Sequence, residues 1–311
     1  MNNVMLSIYV PTYNHEKYII KALDSILMQK THYTYEVLVG EDNSTDKTRL
    51  LLQQYEQIHP GFLKVYYREK NMYKKIPNNA RDLIARCKGK YLIGLEGDDY
   101  WTDELKIEKQ ISFLENHPEY IGISHDCIVV NSDSNIINEK YPSCKENEYS
   151  LKHFMSNIFP GQLTTIMYRN IYIDPNIDTN ILDIGLIPGD RLLFFLLIMY
   201  GKIYCLQESM SAYRHITNNG ASYSANYHYI FREEEHWYKC LLQYSKQFGV
   251  VPQKYIECLY IRCLFKGYRK KQCSLNQLFT YMKNIKYIHY SLIMWLIYKF
   301  KKDIFHCKIW I

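Results

Sequence analysis

At 311 residues the chain can bury a sizeable core, as one large α/β domain with an appendage. Its nine Cys include no CxxC pair, which fits a reduced, cytosolic protein better than a disulfide framework. The net charge of +6 is concentrated at one end: Lys266 to Ile311 carries ten Lys/Arg and one acid, leaving −3 on the preceding residues, which argues against nucleic acid as a partner of the main body. The N-terminus enters a strand pattern almost at once, with no signal peptide, and no apolar stretch approaches the roughly 20 residues needed to span a bilayer.

In chain order, the strand-like run Leu6 to Val10 is stopped by Pro11-Thr12-Tyr13-Asn14. Asn14 is placed to cap a helix whose apolar residues Tyr18, Ile19, Ala22, Leu23, Ile26 and Leu27 recur at helical spacing. Glu36 to Gly40 reads as a second strand running into the polar loop Glu41-Asp42-Asn43-Ser44-Thr45-Asp46, and the next helix carries Leu51, Leu52, Tyr55 and Ile58. A third strand is expected over Leu63 to Tyr67, and a helix over Asn78 to Cys87 that Gly89 closes. The apolar run Leu92 to Leu95 then delivers Glu96-Gly97-Asp98-Asp99 to the rim of a sheet. Beyond it, Glu104 to Asn116 reads as a helix, Ile121 to Val130 as a strand, Asn131 to Ser150 as a polar insertion or domain seam, and Leu163 to Tyr168 as a strand. Pro188-Gly189-Asp190-Arg191 is a turn before eight apolar residues, Leu192 to Met199. After the strand Ile203 to Leu206 comes a polar segment with Ser211 to His215 and Asn219 to Ser222.

Alternating strands and helices argue for a parallel, doubly wound sheet, in which ligands bind outside the carboxyl ends of the strands. The loops Pro11 to Asn14, Glu41 to Asp46 and Gly97 to Trp101 would then gather at one edge. No GxGxxG follows the first strand and no GxxxxGK[ST] occurs, which disfavours a dinucleotide site and excludes a P-loop. The adjacent Asp98 and Asp99 are either a solvated turn or a Mg²⁺ or Mn²⁺ site for a nucleoside diphosphate, since these ions take oxygen ligands and hold phosphates. Asp190 is either a helix N-cap or a catalytic acid facing a cleft. His215 is either solvated or, beside Arg214 and before Gly220, placed to close over a phosphate. The tail from 275 onward interleaves aromatics with Lys283, Lys286, Lys299, Lys301 and Lys302, including Trp295, Phe300 and Trp310. It reads either as a helical subdomain with a solvated basic face or as a segment lying on an anionic membrane surface.

Taken together, Val10-Pro11-Thr12-Tyr13-Asn14, Glu41 to Asp46, Asn79-Ala80-Arg81, Glu96-Gly97-Asp98-Asp99, Gly189-Asp190 and Tyr213-Arg214-His215 resemble the family 2 glycosyltransferases, over roughly residues 4 to 224. The resemblance implies an α/β, GT-A-type doubly wound, mostly parallel sheet, with a catalytic domain over 1–225 and a helical, basic and aromatic region over 226–311. It implies that Pro11, Thr12 and Tyr13 line the nucleotide pocket, with Asp42 accepting from the base N–H and Arg81 approaching the base or a phosphate. Asp98 would hold the ribose or sugar, Asp99 would ligate the metal, Mn²⁺ or Mg²⁺, and Asp190 would be the general base. Arg214 and His215 are candidates for a lid over the diphosphate. Glu41 and Glu96 stand where the family commonly has Asp.

The function expected on this basis is inverting transfer of a sugar from a nucleoside diphosphate sugar, a UDP-sugar, to a hydroxyl of a glycan or lipid-linked glycan in surface polysaccharide synthesis. The enzyme would be a hexosyl- or N-acetylhexosaminyltransferase, cytoplasmic and peripheral on the inner face of the membrane, with no nucleic acid partner. Two rivals stand beside it. One is a nucleotidyltransferase, which would normally need a phosphate loop that Pro11 to Asn14 does not supply. The other is a catalytically inactive homologue that binds sugar nucleotide or serves in an assembly.

Overall fold

The computed structural model describes residues 4–73, 75–184, 189–216, 228–283 and 285–305, with side chains described as far as 296. Its centre is a nine-stranded sheet. Strands β1 (Leu6–Thr12), β2 (Tyr35–Glu41), β3 (Lys64–Tyr67) and β4 (Tyr91–Gly94) lie in the order β3-β2-β1-β4, all parallel. The sheet continues through β8 (Met167–Arg169), β6 (Tyr120–Val130), β9 (Lys202–Arg214) and β5 (Tyr100–Trp101), while β7 (Glu148–Tyr149) pairs with β9. The antiparallel pairings, β4–β8, β6–β8, β5–β9 and β7–β9, are all short, and β6 and β9 run parallel along most of their length.

Burial explains the order. Leu6, Ile8 and Val10 alternate with Ser7 and Tyr9 along β1, and every one of them is inaccessible or nearly so, as expected of a strand covered on both faces. The crossover helix α1 (Ile19–Leu27) turns Ile19, Ala22, Leu23 and Ile26 into the core, and α2 (Thr48–Ile58) contributes Leu52 and Tyr55. The short α3 (Asn79–Ile84) is capped by Asn78, whose side chain accepts from the Arg81 N–H. Helix α4 (Lys106–Asn116) adds Ile107, Ile111 and Leu114 to the same core.

Three sequence-based expectations are corrected. Asn14 does not cap α1, which starts at Ile19; Asn14 adopts a left-handed φ of 55° and its side-chain oxygen accepts the Thr45 N–H at 2.8 Å. An Asn tolerates that backbone, and the side chain gains more by joining the loops after β1 and β2 than by capping. Residues Leu163–Thr165 form a 3₁₀ turn, so strand structure is confined to β8. The segment Ser211 to Arg214 is the end of β9, a strand rather than a loop. Asn219 to Ser222, Pro188, and the side chains of Lys299, Phe300, Lys301, Lys302 and Trp310 lie outside the described residues.

The chain forms two compact units. The first comprises residues 1–149, 159–179 and 200–226 and holds the sheet. The second comprises 150–158, 180–199 and 227–311. It contains α5 (Leu151–Met155), α6 (Gly189–Tyr200) up to Met199, α7 (Phe231–Ser245), α8 (Val250–Arg269), α9 (Leu275–Met282) and α10 (Ile288–Phe305). Its buried residues include Phe194, Trp237, Leu241, Leu259 and Ile261, and the buried Glu257 carboxylate accepts the Lys286 and Tyr287 N–H groups at 3.2 and 2.7 Å. No helix among the described residues is long and apolar enough to cross a membrane.

Candidate active site

The parallel strands β1, β2 and β4 bring their C-terminal loops to one edge, as expected from their order. The Asp42 N–H donates to the Thr12 carbonyl at 3.0 Å and the Gly97 N–H to the Pro11 carbonyl at 3.2 Å, so the three loops are joined through their backbones. The Asn14 N–H donates to Ser44 Oγ at 3.0 Å. Pro11, Thr12, Asp42, Asp98 and Asp99 are thus brought together on one rim, with Tyr13 half-buried beside Thr12.

The acids on this rim are crowded. Oxygens of Glu96, Asp98 and Asp99 all lie within 4.8 Å of one another. Asp99 is buried, and its Oδ1 accepts the Arg214 N–H at 2.7 Å while its Oδ2 accepts from Gln162 Nε2 at 3.0 Å. Burial, and then the charges of Asp98 and Glu96, hold the Asp99 carboxyl well above the usual carboxylate range, against the opposing pull of the Arg214 N–H. Gly97 permits the turn: a Cβ there would stand 2.7 Å from both His15 Nδ1 and Thr12 Oγ1. Those two atoms are themselves 3.1 Å apart, and His15 Nε2 lies 3.9 Å from Asp98 Oδ2.

Asp42 sits in the loop after β2 with Oδ1 accepting the Met72 N–H at 2.7 Å, which leaves its second oxygen for another donor. Burial raises its pKa, while the Met72 N–H and the Arg68 charge oppose the rise. The preceding Glu41 is wholly buried, accepts the Ser44 N–H at 2.6 Å and pairs with Arg49 Nε at 2.5 Å. It serves the loop's shape. Arg81 lies on α3 with its guanidinium 5.1 Å from the centre of the Tyr172 ring.

Arg214 is buried at the end of β9. Its Nε donates to the Asp98 carbonyl at 2.8 Å, Nη1 to the Asn131 and Ser132 carbonyls at 2.6 and 3.2 Å, and Nη2 to Ser134 Oγ at 3.0 Å. The guanidinium also lies 4.1 Å from the centre of the Tyr18 ring. A side chain so engaged ties the acidic turn to the segment 131–134. His215 follows, with Nδ1 2.6 Å from Glu139 Oε2.

Asp190 belongs to the second unit. It stands in the first turn of α6, half-buried, and its Oδ1 is 2.7 Å from the Arg191 N–H. Burial pushes its carboxyl above the usual range, opposed by the N–H and guanidinium of Arg191. The Arg191 guanidinium lies 5.0 Å from the centre of the Trp237 ring and its Nη2 is 3.3 Å from Asn157 Oδ1. A carboxylate near a helix N-terminus is stabilised by the helix dipole, so its charged form can persist there.

Sequence reading missed Gln162 and His15; Gly97 reads as the turn before the two Asp. Pro160-Gly161 marks a turn ahead of Gln162, but nothing local announces that its amide faces Glu96 and Asp99.

A model of glycosyl transferase family 2 matches residues 7–170. An uncharacterized protein of Mycobacterium tuberculosis is 32% identical over 209 residues, covering 67% of this chain and 58% of that protein, so the match spans less than two thirds of that relative's length. TuaG of Bacillus subtilis, provisionally named a teichuronic acid biosynthesis glycosyltransferase, is 28% identical over 251 residues, 78% of this chain and 95% of TuaG. The crystal structure of Staphylococcus aureus TarS 1–349 in complex with UDP-GlcNAc superposes with a TM-score of 0.60 at 19% identity, covering 85% of this chain and 73% of that one. The likeness to TarS is one of fold, the GT-A type. With its sheet order, its acidic rim and a family match over more than half of its length, the chain belongs to glycosyl transferase family 2.

Proposed function

We propose that the protein is an inverting glycosyltransferase that moves a sugar from a UDP-sugar to a hydroxyl of a glycan acceptor in surface polysaccharide synthesis. The observation that carries this reading is the crowded set Glu96, Asp98 and Asp99 on the same sheet edge as Thr12 and Asp42. TarS, whose structure holds UDP-GlcNAc, supports a UDP donor, and the name of TuaG supports a polysaccharide product.

Three carboxylates within one cation's reach, one of them buried against its own charge, form a donor set suited to Mn²⁺ or Mg²⁺. Bound there, the ion would neutralise the charge that grows on the leaving diphosphate. Asp99 and Glu96 would hold it, and Asp98 would also reach the ribose or sugar. Tyr13 stacks on the pyrimidine, the free oxygen of Asp42 accepts the base N–H, and Arg81 approaches the base or a phosphate. Arg214 fixes the acidic turn, and His215 supplies a donor to the diphosphate. Asp190 takes the proton of the acceptor hydroxyl as that oxygen attacks the anomeric carbon on the face opposite the diphosphate, so the configuration inverts in one displacement. Its raised pKa makes it a stronger base than an exposed Asp.

The tail supports a location at a membrane surface. Leu275, Phe279, Ile293 and Leu296 are exposed apolar residues close in sequence to Lys270, Lys271, Lys283 and Lys286. An acceptor carried on a lipid would be met there.

A donor screen tests the assignment: full-length protein with Mn²⁺ or Mg²⁺ and a panel of UDP-, GDP- and dTDP-sugars, reading released nucleoside diphosphate. Release from a UDP-sugar that stops on adding EDTA is expected. Donor binding without release from any sugar, with acceptor present, would favour the inactive binding subunit.

A further inference from the structure

We propose that Gln162 is a positioning residue for the acid cluster, holding Glu96 and Asp99 in the orientation that receives a divalent cation. This rests on the metal-assisted reading above. Gln162 is 4% exposed and uses its whole amide inside the cluster. Its Oε1 accepts from both the N–H and the Oγ1 hydroxyl of Thr164, each at 2.6 Å. Its Nε2 reaches Asp99 Oδ2 at 3.0 Å and Glu96 Oε2 at 3.3 Å, one N–H for each carboxylate. Turning the amide over would set an oxygen against two carboxylates and an NH₂ against the Thr164 donors, so the orientation is fixed from both ends.

Asp99 is therefore gripped at both oxygens, by Gln162 on one and by the Arg214 N–H on the other. Each oxygen accepts one donor here and keeps a further lone pair for a cation. The choice of an amide matters. Lys or Arg at this position would also satisfy the carboxylates, but its charge would repel the ion; an amide orders them while leaving the negative field in place.

The loop that presents Gln162 is constrained independently. A Cβ at Gly161 would lie 2.1 Å from Thr165 Oγ1 and 2.7 Å from the His125 carbonyl. The Gln162 carbonyl accepts from the Thr165 N–H and Oγ1 at 2.9 and 2.7 Å. Trp101, two residues beyond Asp99, donates its Nε1–H to the Thr164 carbonyl at 3.2 Å, tying the loop to the acidic turn.

The test is Mn²⁺ affinity, read from the free-ion electron paramagnetic resonance signal, on full-length wild type, Gln162→Met, Thr164→Val and Asp99→Asn, with thermal unfolding of each. Methionine keeps the length and removes both donors. Gln162→Met is expected to weaken Mn²⁺ binding about 10- to 100-fold, the usual cost of losing an outer-shell partner. If Gln162→Met does not fold, Thr164→Val decides, with a smaller loss in the same direction expected. Wild-type Mn²⁺ affinity in Gln162→Met, with binding abolished in Asp99→Asn, would overturn the role of Gln162 and leave the cation site standing. Wild type binding Mn²⁺ no better than Asp99→Asn would overturn both.

Discussion

The backbone N–H of Arg214 donates to Asp99 Oδ1 at 2.7 Å, and through this bond the last residue of β9 meets the acid that follows β4, 115 positions away. The same arginine bonds the Asp98 carbonyl through Nε. Strand pairing between β5 and β9, Tyr100 against Ala212 and Trp101 against Ser211, sets this register. The acidic turn is thus held by the sheet itself. A pair of adjacent carboxylates resists burial, and the strand on its far side supplies the donors that make burial tolerable.

Arg214→Lys tests that brace. Lysine keeps the charge but cannot span Asp98, Asn131, Ser132 and Ser134, so most of these charge-assisted hydrogen bonds are lost. A loss of about 1–3 kcal/mol in urea unfolding is expected. A variant as stable as wild type would show the guanidinium to be dispensable.

Gly97→Ala places a Cβ 2.7 Å from His15 Nδ1 and Thr12 Oγ1. Overpacking of this kind costs about 1–3 kcal/mol, and here the strain falls on the turn that carries Asp98. Donor binding is expected to weaken more than stability falls, measured by calorimetry beside thermal unfolding. Unchanged donor affinity would separate the turn from the site.

The pH dependence follows from Asp99, whose carboxyl is held above the ordinary 3.8. A raised carboxyl favours the folded state fully below the unfolded value, and that contribution is lost as pH rises through the folded value. Above it, the ionised form is a strain that a cation relieves. Mn²⁺ should therefore raise the melting temperature more at pH 8 than at pH 5. Asp190, also raised, must be ionised to act as base, so kcat/KM should fall on acidification at a pH above that of an ordinary Asp. A Mn²⁺ effect independent of pH, or an activity flat down to about pH 4, would contradict these assignments.

The exposed Phe279 and Ile293 give the membrane reading a test that does not depend on truncation. Phe279→Glu with Ile293→Glu alters surface positions and should leave folding intact while reducing flotation with anionic phospholipid vesicles. Equal flotation of variant and wild type would remove the tail from membrane contact.

How much of this was legible in the sequence varies by residue. The apolar runs of β1, β2 and β4 and the helical spacing in α1 gave the sheet and its crossovers, because buried parallel strands leave continuous hydrophobic segments. From parallel strands followed the single edge where Thr12, Asp42 and Asp99 meet. The polar stretch Ser211 to Arg214 misled because its pairing partners on β5 and β6 satisfy it, and these are far away in sequence. Asn14 misled because its side chain bonds the distant loop after β2 and not the start of the neighbouring helix. Gln162 could not be found at all from local pattern: its role depends on a loop folded against acids more than sixty residues earlier. Contacts of that range are set by tertiary packing, and no periodicity encodes them.

In the proposed reaction labour is divided, with Asp99 serving the cation and Asp190 the proton. Comparing donor binding with turnover for Asp99→Asn and Asp190→Asn, on the donor that wild type hydrolyses, tests it most directly. Asp99→Asn is expected to lose Mn²⁺-dependent donor binding. Asp190→Asn should bind donor like wild type and lose turnover by about 10²- to 10⁴-fold. Turnover near the wild-type rate in Asp190→Asn, or intact Mn²⁺-dependent binding in Asp99→Asn, would contradict the account.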